Sequence, residues 1–107
     1  MSLARTDPLW RLQQWYSANC NGDWEHTYGV HIGNIDNPGW RLTVELADTY
    51  LYELPFETRQ VQRDDENDWL HCSKTEGKIQ GSCGPLNLDE LLCVFLDWAE
   101  ANEPNDT

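Results

Sequence analysis

The sequence predicts an α+β fold: an antiparallel sheet of four to six strands flanked by an N-terminal and a C-terminal helix. Three observations carry that expectation. Apolar residues recur at helical spacing at both ends of the chain, and the middle alternates apolar and polar residues. Turn signals separate the alternating segments, which is the pattern of hairpins rather than of βαβ units. At 107 residues the chain is long enough for one core, so residues 1–107 are expected to form a single domain, with 1–6 and 103–107 frayed. Six tryptophans make up for the high charge, because each buried indole removes roughly 150–250 Å² from water.

The elements follow in order. Asp7-Pro8 reads as an N-cap followed by a first-turn proline and opens a helix from about residue 8 to 19. Its predicted stripe is Leu9, Leu12, Tyr16 and Cys20, with Trp15 at the edge and Trp10 well off it. Asn21-Gly22 stops the helix. Residues 23–26 are then expected to cross to the sheet in extended form, Trp24 and His26 pointing one way and Asp23 and Glu25 the other. Strands follow at 28–32 and 40–46, joined through Asp36-Asn37-Pro38-Gly39. Matching their apolar faces requires an odd number of loop residues, since a one-residue slip inverts a strand. Residues 50–53 and 56–61, around Pro55, are weaker strand candidates, and 64–68 is an acidic, solvated loop. A second hairpin, 69–75 with 78–82, turns on Glu76-Gly77. Its register puts Leu70, Cys72, Ile79, Gly81 and Cys83 on one face and Trp69 and His71 on the other, with Cys72 and Cys83 diagonal and poorly placed for a disulfide. After Gly84-Pro85, Asn87 and Glu90 resemble a capping box for a last helix, whose buried stripe is Leu88, Leu91, Leu92, Phe95, Trp98 and Ala99.

Nineteen acidic against seven basic residues give a net charge of -12. Nucleic acid and anionic lipid are therefore poor direct partners, because both are held through Lys and Arg. A basic protein partner would be drawn in quickly and in a salt-sensitive way. No apolar run approaches the roughly 20 residues that span a bilayer, so no membrane association is expected. The start of the sequence lacks a charged and apolar leader, which makes a cytoplasmic location the expectation, with the four cysteines as free thiols.

Catalytic constellations are weak. His26, His31, His71, Cys20, Cys72, Asp23 and Glu25 are metal-ligand types, but none has zinc-site spacing, so no metal or other cofactor is expected. His71 and Cys72 are strand neighbours whose side chains point to opposite faces and cannot pair. Cys20 sits at a helix C-terminus, where the negative dipole end disfavours a thiolate. A small thiol- or metal-dependent enzyme using Cys72, His71 or His26 is the alternative reading. A third is a ligand groove on the strand face of Gly29, His31 and Gly33, a face that a helix or a partner chain would otherwise cover. Aromatics beside carboxylates (Trp10, Trp24 and Trp69 with Asp23, Glu25 and Asp64 to Asp68) instead have the composition of a protein-binding hot spot.

A set of motifs spanning residues 9 to 99 resembles one known family. It comprises Leu12-Gln13-x-Trp15-Tyr16, then Cys20-Asn21-Gly22-Asp23-Trp24-Glu25-His26 with Tyr28-Gly29-Val30, and Asp36-Asn37-Pro38-Gly39-Trp40. Asp68-Trp69-Leu70-His71-Cys72 and Gly81-x-Cys83-Gly84-Pro85-x-Asn87-Leu88, with Phe95 and Trp98, complete it. Together they resemble the immunity protein 53 family of bacterial polymorphic toxin systems. The resemblance implies a non-enzymatic, cytoplasmic protein that binds and inhibits the C-terminal domain of a cognate secreted toxin. Charge suggests that the toxin domain is basic, and the chain is expected to be a monomer or a weak homodimer. Asp23, Trp24, Glu25 and His26 are the expected contact residues, with Asp64, Asp65 and Glu66 as a steering loop.

Overall fold

A computed structural model describes residues 7–104. The elements are α1 (Pro8–Asn19), α2 (Trp24–Thr27), β1 (Val30–Ile35), β2 (Gly39–Glu45), β3 (Arg59–Gln62), β4 (Trp69–Thr75), β5 (Lys78–Cys83) and α3 (Leu88–Ala101). The strands form one antiparallel five-stranded sheet in the order β1-β2-β5-β4-β3. The α+β class and the flanking helices are as the sequence predicts.

Register decides what each face carries. Val30 pairs with Val44, Leu42 with Gly81, Leu70 with Cys83 and Val61 with Leu70. One face therefore collects Leu42, Val44, Ile79, Cys83, Leu70 and Cys72, all buried. Helix α3 packs on this face through Leu91, Leu92, Phe95, Leu96 and Ala99, over β4 and β5. Gly81 makes the approach possible, because a Cβ there would lie 2.7 Å from a Leu91 methyl. The loop between β1 and β2 is Asp36-Asn37-Pro38, three residues, an odd number as face matching requires. Glu76 and Gly77, at φ +55° and +75°, turn the β4–β5 hairpin. Cys72 lies opposite Gly81 and Cys83 opposite Leu70, so the two thiols are diagonal, and both are free.

Helix α1 opens as read: the Asp7 carboxylate accepts the Trp10 N–H at 2.9 Å, with Pro8 in the first turn. Its buried side differs from the expected stripe. Leu12 and Trp15 are buried, whereas Leu9 and Tyr16 are exposed. The rotation has a tertiary cause. Trp15 sits edge-on between Trp24 and Phe95, at centroid distances of 5.8 and 5.1 Å. Arg11 turns the helix toward α3, donating to Glu100 and, at 2.7 Å, to Asp97.

Three further expectations are corrected. Residues 24–27 form a helical turn rather than an extended crossing, because the Asn21 side chain accepts the Asp23 and Trp24 N–H groups and nucleates it. Residues 50–53 are a chain of turns, not a strand: Thr49 N–H bonds Leu46 O, Tyr52 N–H bonds Thr49 O and Leu54 N–H bonds Leu51 O. Asn87 stands at the N-cap position of α3, but its side chain makes no capping bond. Its side chain is buried, accepts the Trp69 N–H and donates to Asp68 and Glu90, tying the acidic loop to the helix start.

Candidate functional site

The helices lie on one side of the sheet, so the other side is uncovered by any described element. Its outward residues form rows across the strands. Gln60, His71, Ser82, Arg41 and Gly33 make one row, and Ser73, Gln80, Thr43 and His31 the next. Nearly all can donate or accept hydrogen bonds. For a chain of net charge -12 the face is poor in acid: Glu45 is its strand carboxylate, against Arg41, Lys78, His31 and His71. The His31 imidazole lies 3.9 Å from Glu45, with most of its side chain in solvent. Thus the Gly29/His31/Gly33 side is covered by neither long helix, and a Cβ on Gly33 would meet nothing within 4 Å.

Trp69 stands at one end of this face. The indole N–H groups of Trp24, Trp40 and Trp98 are each spent on a loop carbonyl, of Ala47, Pro85 and Pro55 respectively. Trp15 is buried in the aromatic cluster. Trp69 is partly buried, and its indole N–H has no partner among the described residues. It borders a recess of about 590 Å³ shared with Asn34, Asp36, Arg41 and Ser82. Arg41 makes no ion pair among the described residues. By contrast Arg11 and Arg63 are each clamped between two carboxylates.

The acidic loop adjoins the same end. Arg63 bridges Asp68 and Glu90, at 2.8 and 2.6 Å; bonds from Asn87 and then Arg63 hold the Asp68 carboxyl below its ordinary range, and bonds from Arg63 and then Asn87 hold the Glu90 carboxyl low. Asp64, Asp65 and Glu66 remain exposed. An Asp65 carboxylate oxygen accepts the Asn67 N–H, which shapes the loop.

The second predicted patch is divided by the structure. Asp23 and His26 are exposed. Trp24 is 2% exposed and belongs to the core. The Glu25 carboxylate accepts the N–H groups of Asn21 and Gly22, at 2.9 and 2.8 Å, and backbone donors hold it below the usual carboxyl range. This corner leads into the start of β1, while residues 64–66 lie beyond the end of β3. The two patches therefore occupy diagonal corners of the sheet, about 28 Å apart by strand rise and spacing. Sequence reasoning left Arg41 and the recess unremarked; the available signals were the outward register of Arg41 and of Trp69 beside the acidic run.

The model of the family described as immunity protein 53 matches residues 9–100 of this chain. The chain belongs to the immunity protein 53 family. No curated protein and no solved structure matches it.

The reactive groups of this immunity protein 53 family member are dispersed. Burial pushes the Cys72 thiol up to about 12 and, as the larger cause, the Cys83 thiol to about 11. Both face the helices, opposite to His71. His26 lies beyond the start of β1. Among the described residues no three His, Cys, Asp or Glu side chains could hold a metal ion. No described helix is long and apolar enough to cross a membrane. A larger hollow of about 910 Å³ between α1 and the end of α3 includes Arg11 and Tyr50. Both are engaged: Arg11 with its carboxylates, Tyr50 by donating to Ala99 O at 2.9 Å.

Proposed function

We propose that this immunity protein 53 family member neutralises a cognate secreted toxin by binding its C-terminal domain in the cytoplasm, without catalysis and without a cofactor. The observation that carries the reading is family membership across residues 9–100. The surface chemistry supports it. Asp64, Asp65 and Glu66 sit beside an uncovered face whose free anchors are Trp69 and Arg41. Tryptophan and arginine are the residue types that most often dominate interface energies. In this mechanism the exposed carboxylates steer a basic toxin domain and raise its on-rate, while Trp69 and Arg41 set the off-rate.

The contact set is accordingly Asp64, Asp65, Glu66, Trp69 and Arg41, with Asp23 and His26 at the far corner as outlying candidates. Trp24 and Glu25 act by shaping that corner. A standard interface covers about 800 Å² per partner, so one centred on Trp69 need not reach the α2 corner.

The test is to find whether a gene neighbouring this one encodes a secreted protein with a toxic C-terminal domain, and to co-express that domain with this chain, followed by kinetic binding measurements. The wild type is expected to rescue growth. Asp64→Lys/Asp65→Lys/Glu66→Lys is expected to slow association about tenfold or more and to flatten its salt dependence, with dissociation little changed. Unchanged association would remove the steering loop from the mechanism; absence of rescue by the wild type would remove the function.

A further inference from the structure

We infer that β1 is a docking edge that takes an extended strand of the toxin domain as a sixth strand of the sheet. The inference rests on the toxin-binding reading and names how the partner is held. In β1 the carbonyl of Gly29 accepts the Glu45 N–H, which fixes the alternation: Gly29, His31, Gly33 and Ile35 address β2. Val30, Ile32 and Asn34 therefore point their N–H and C=O groups away from the sheet, and no described strand pairs with them.

Proteins usually blunt such an edge with lysine, proline, a bulge or a very short strand. The opposite edge is blunted: β3 is four residues long, and Arg59 and Arg63 sit on and beside it. β1 has six residues, Val-His-Ile-Gly-Asn-Ile, with none of these devices. Residues 31–34 are all exposed, Ile32 at 39%. No side chain stands over Gly33. The edge thus offers sequence-independent backbone bonds together with an accessible isoleucine, the chemistry of strand addition.

Charge selects the occupant. β1 contains no carboxylate and no Lys or Arg, so it neither attracts nor repels strongly on its own account. The chain as a whole carries -12, which at long range opposes association with a second copy and favours a basic domain.

Proline separates the possibilities, since it removes an outward N–H at positions 32 and 34 without touching the β1–β2 ladder. Gln60→Pro makes the equivalent change on the β3 edge. Binding of Ile32→Pro and Asn34→Pro to the toxin domain is expected to weaken at least tenfold, with Gln60→Pro within twofold of wild type. Hydrogen exchange on the unmutated protein gives an independent readout. Amides of Ile32 and Asn34 should exchange rapidly when free and become protected in the complex, while those of His31 and Gly33 stay slow in both. Tight binding with no protection at 32 and 34 would overturn the edge inference and leave toxin neutralisation standing. Protection of these amides through self-association of the toxin-free chain would replace the toxin strand by a second copy. Failure of the wild type to bind the toxin domain would overturn the functional reading and the inference with it.

Discussion

Lys74→Met tests how the chain after β2 is held. Lys74 lies on the helix-facing side of β4, and its ammonium donates to the carbonyls of Tyr52 at 2.6 Å, Leu54 at 2.5 Å and Leu51 at 3.4 Å. Hydrogen bonds to a charged group are worth about 1.5–3 kcal/mol each, and the two short ones dominate here, a gross of about 3–6 kcal/mol. Methionine keeps most of the apolar stem. Water can reach part of the vacated carbonyls, and freeing a long side chain returns some entropy. A net loss of about 2–3 kcal/mol remains. At about 4–8 °C per kcal/mol for a domain near this size, Tm should fall by roughly 10–20 °C. Urea denaturation and calorimetry measure the loss, and hydrogen exchange at Tyr52 and Leu54 should accelerate before the sheet amides do. Lys78→Met, which removes a lysine with no hydrogen-bond partner among the described residues, should cost less than about 0.5 kcal/mol. If Lys74→Met were no more costly than Lys78→Met, the ammonium would not be what holds the turns at 49–54.

Three more predictions follow from named contacts. Gly84→Ala should be severely destabilising, by about 3 kcal/mol or more, because a Cβ there collides with the Asn67 carbonyl; chemical denaturation with an unchanged midpoint would refute it. Asp68, held low chiefly by Asn87, and Glu90, held low chiefly by Arg63, contribute stability that is fully present above the ordinary carboxyl range near pH 4 and is lost as pH falls through their lowered values. Arg63→Gln should therefore lower Tm at pH 6 and converge on wild type near pH 2, and a pH-independent difference would contradict the network. In native protein at pH 8, Cys72 and Cys83 should resist a thiol reagent over minutes while all four cysteines react in denaturant; prompt native labelling of Cys72 would refute its burial.

What was legible in the sequence was local in origin. The Asp7-Pro8 helix start, the odd loop between β1 and β2, the Glu76-Gly77 turn and the Leu91, Leu92, Phe95 and Ala99 part of the α3 stripe each follow from backbone preferences or from side-chain period, which neighbours in sequence set by themselves. The errors arose where a distant group decided the outcome. Nothing near residue 50 announces that an ammonium from residue 74 will collect its carbonyls. Asn87 and Glu90 match a capping box, yet Trp69 and Asp68 claim the Asn87 side chain. Among the expected contact residues, the sequence placed the acidic loop at the surface because no core could absorb so many carboxylates. It could not tell Trp24 from Trp69, since both are tryptophans next to acids. Only the tertiary structure separated them: Trp24 finds Trp15 and the Ala47 carbonyl and is buried, while Trp69 falls on the outward side of β4 where no helix arrives. The sequence by itself determined the α+β class, the charge and the family resemblance, because these depend on composition, period and motif. Which face stays open and which edge strand is left unpaired depends on strand order and helix placement, which are contacts between residues far apart in the chain.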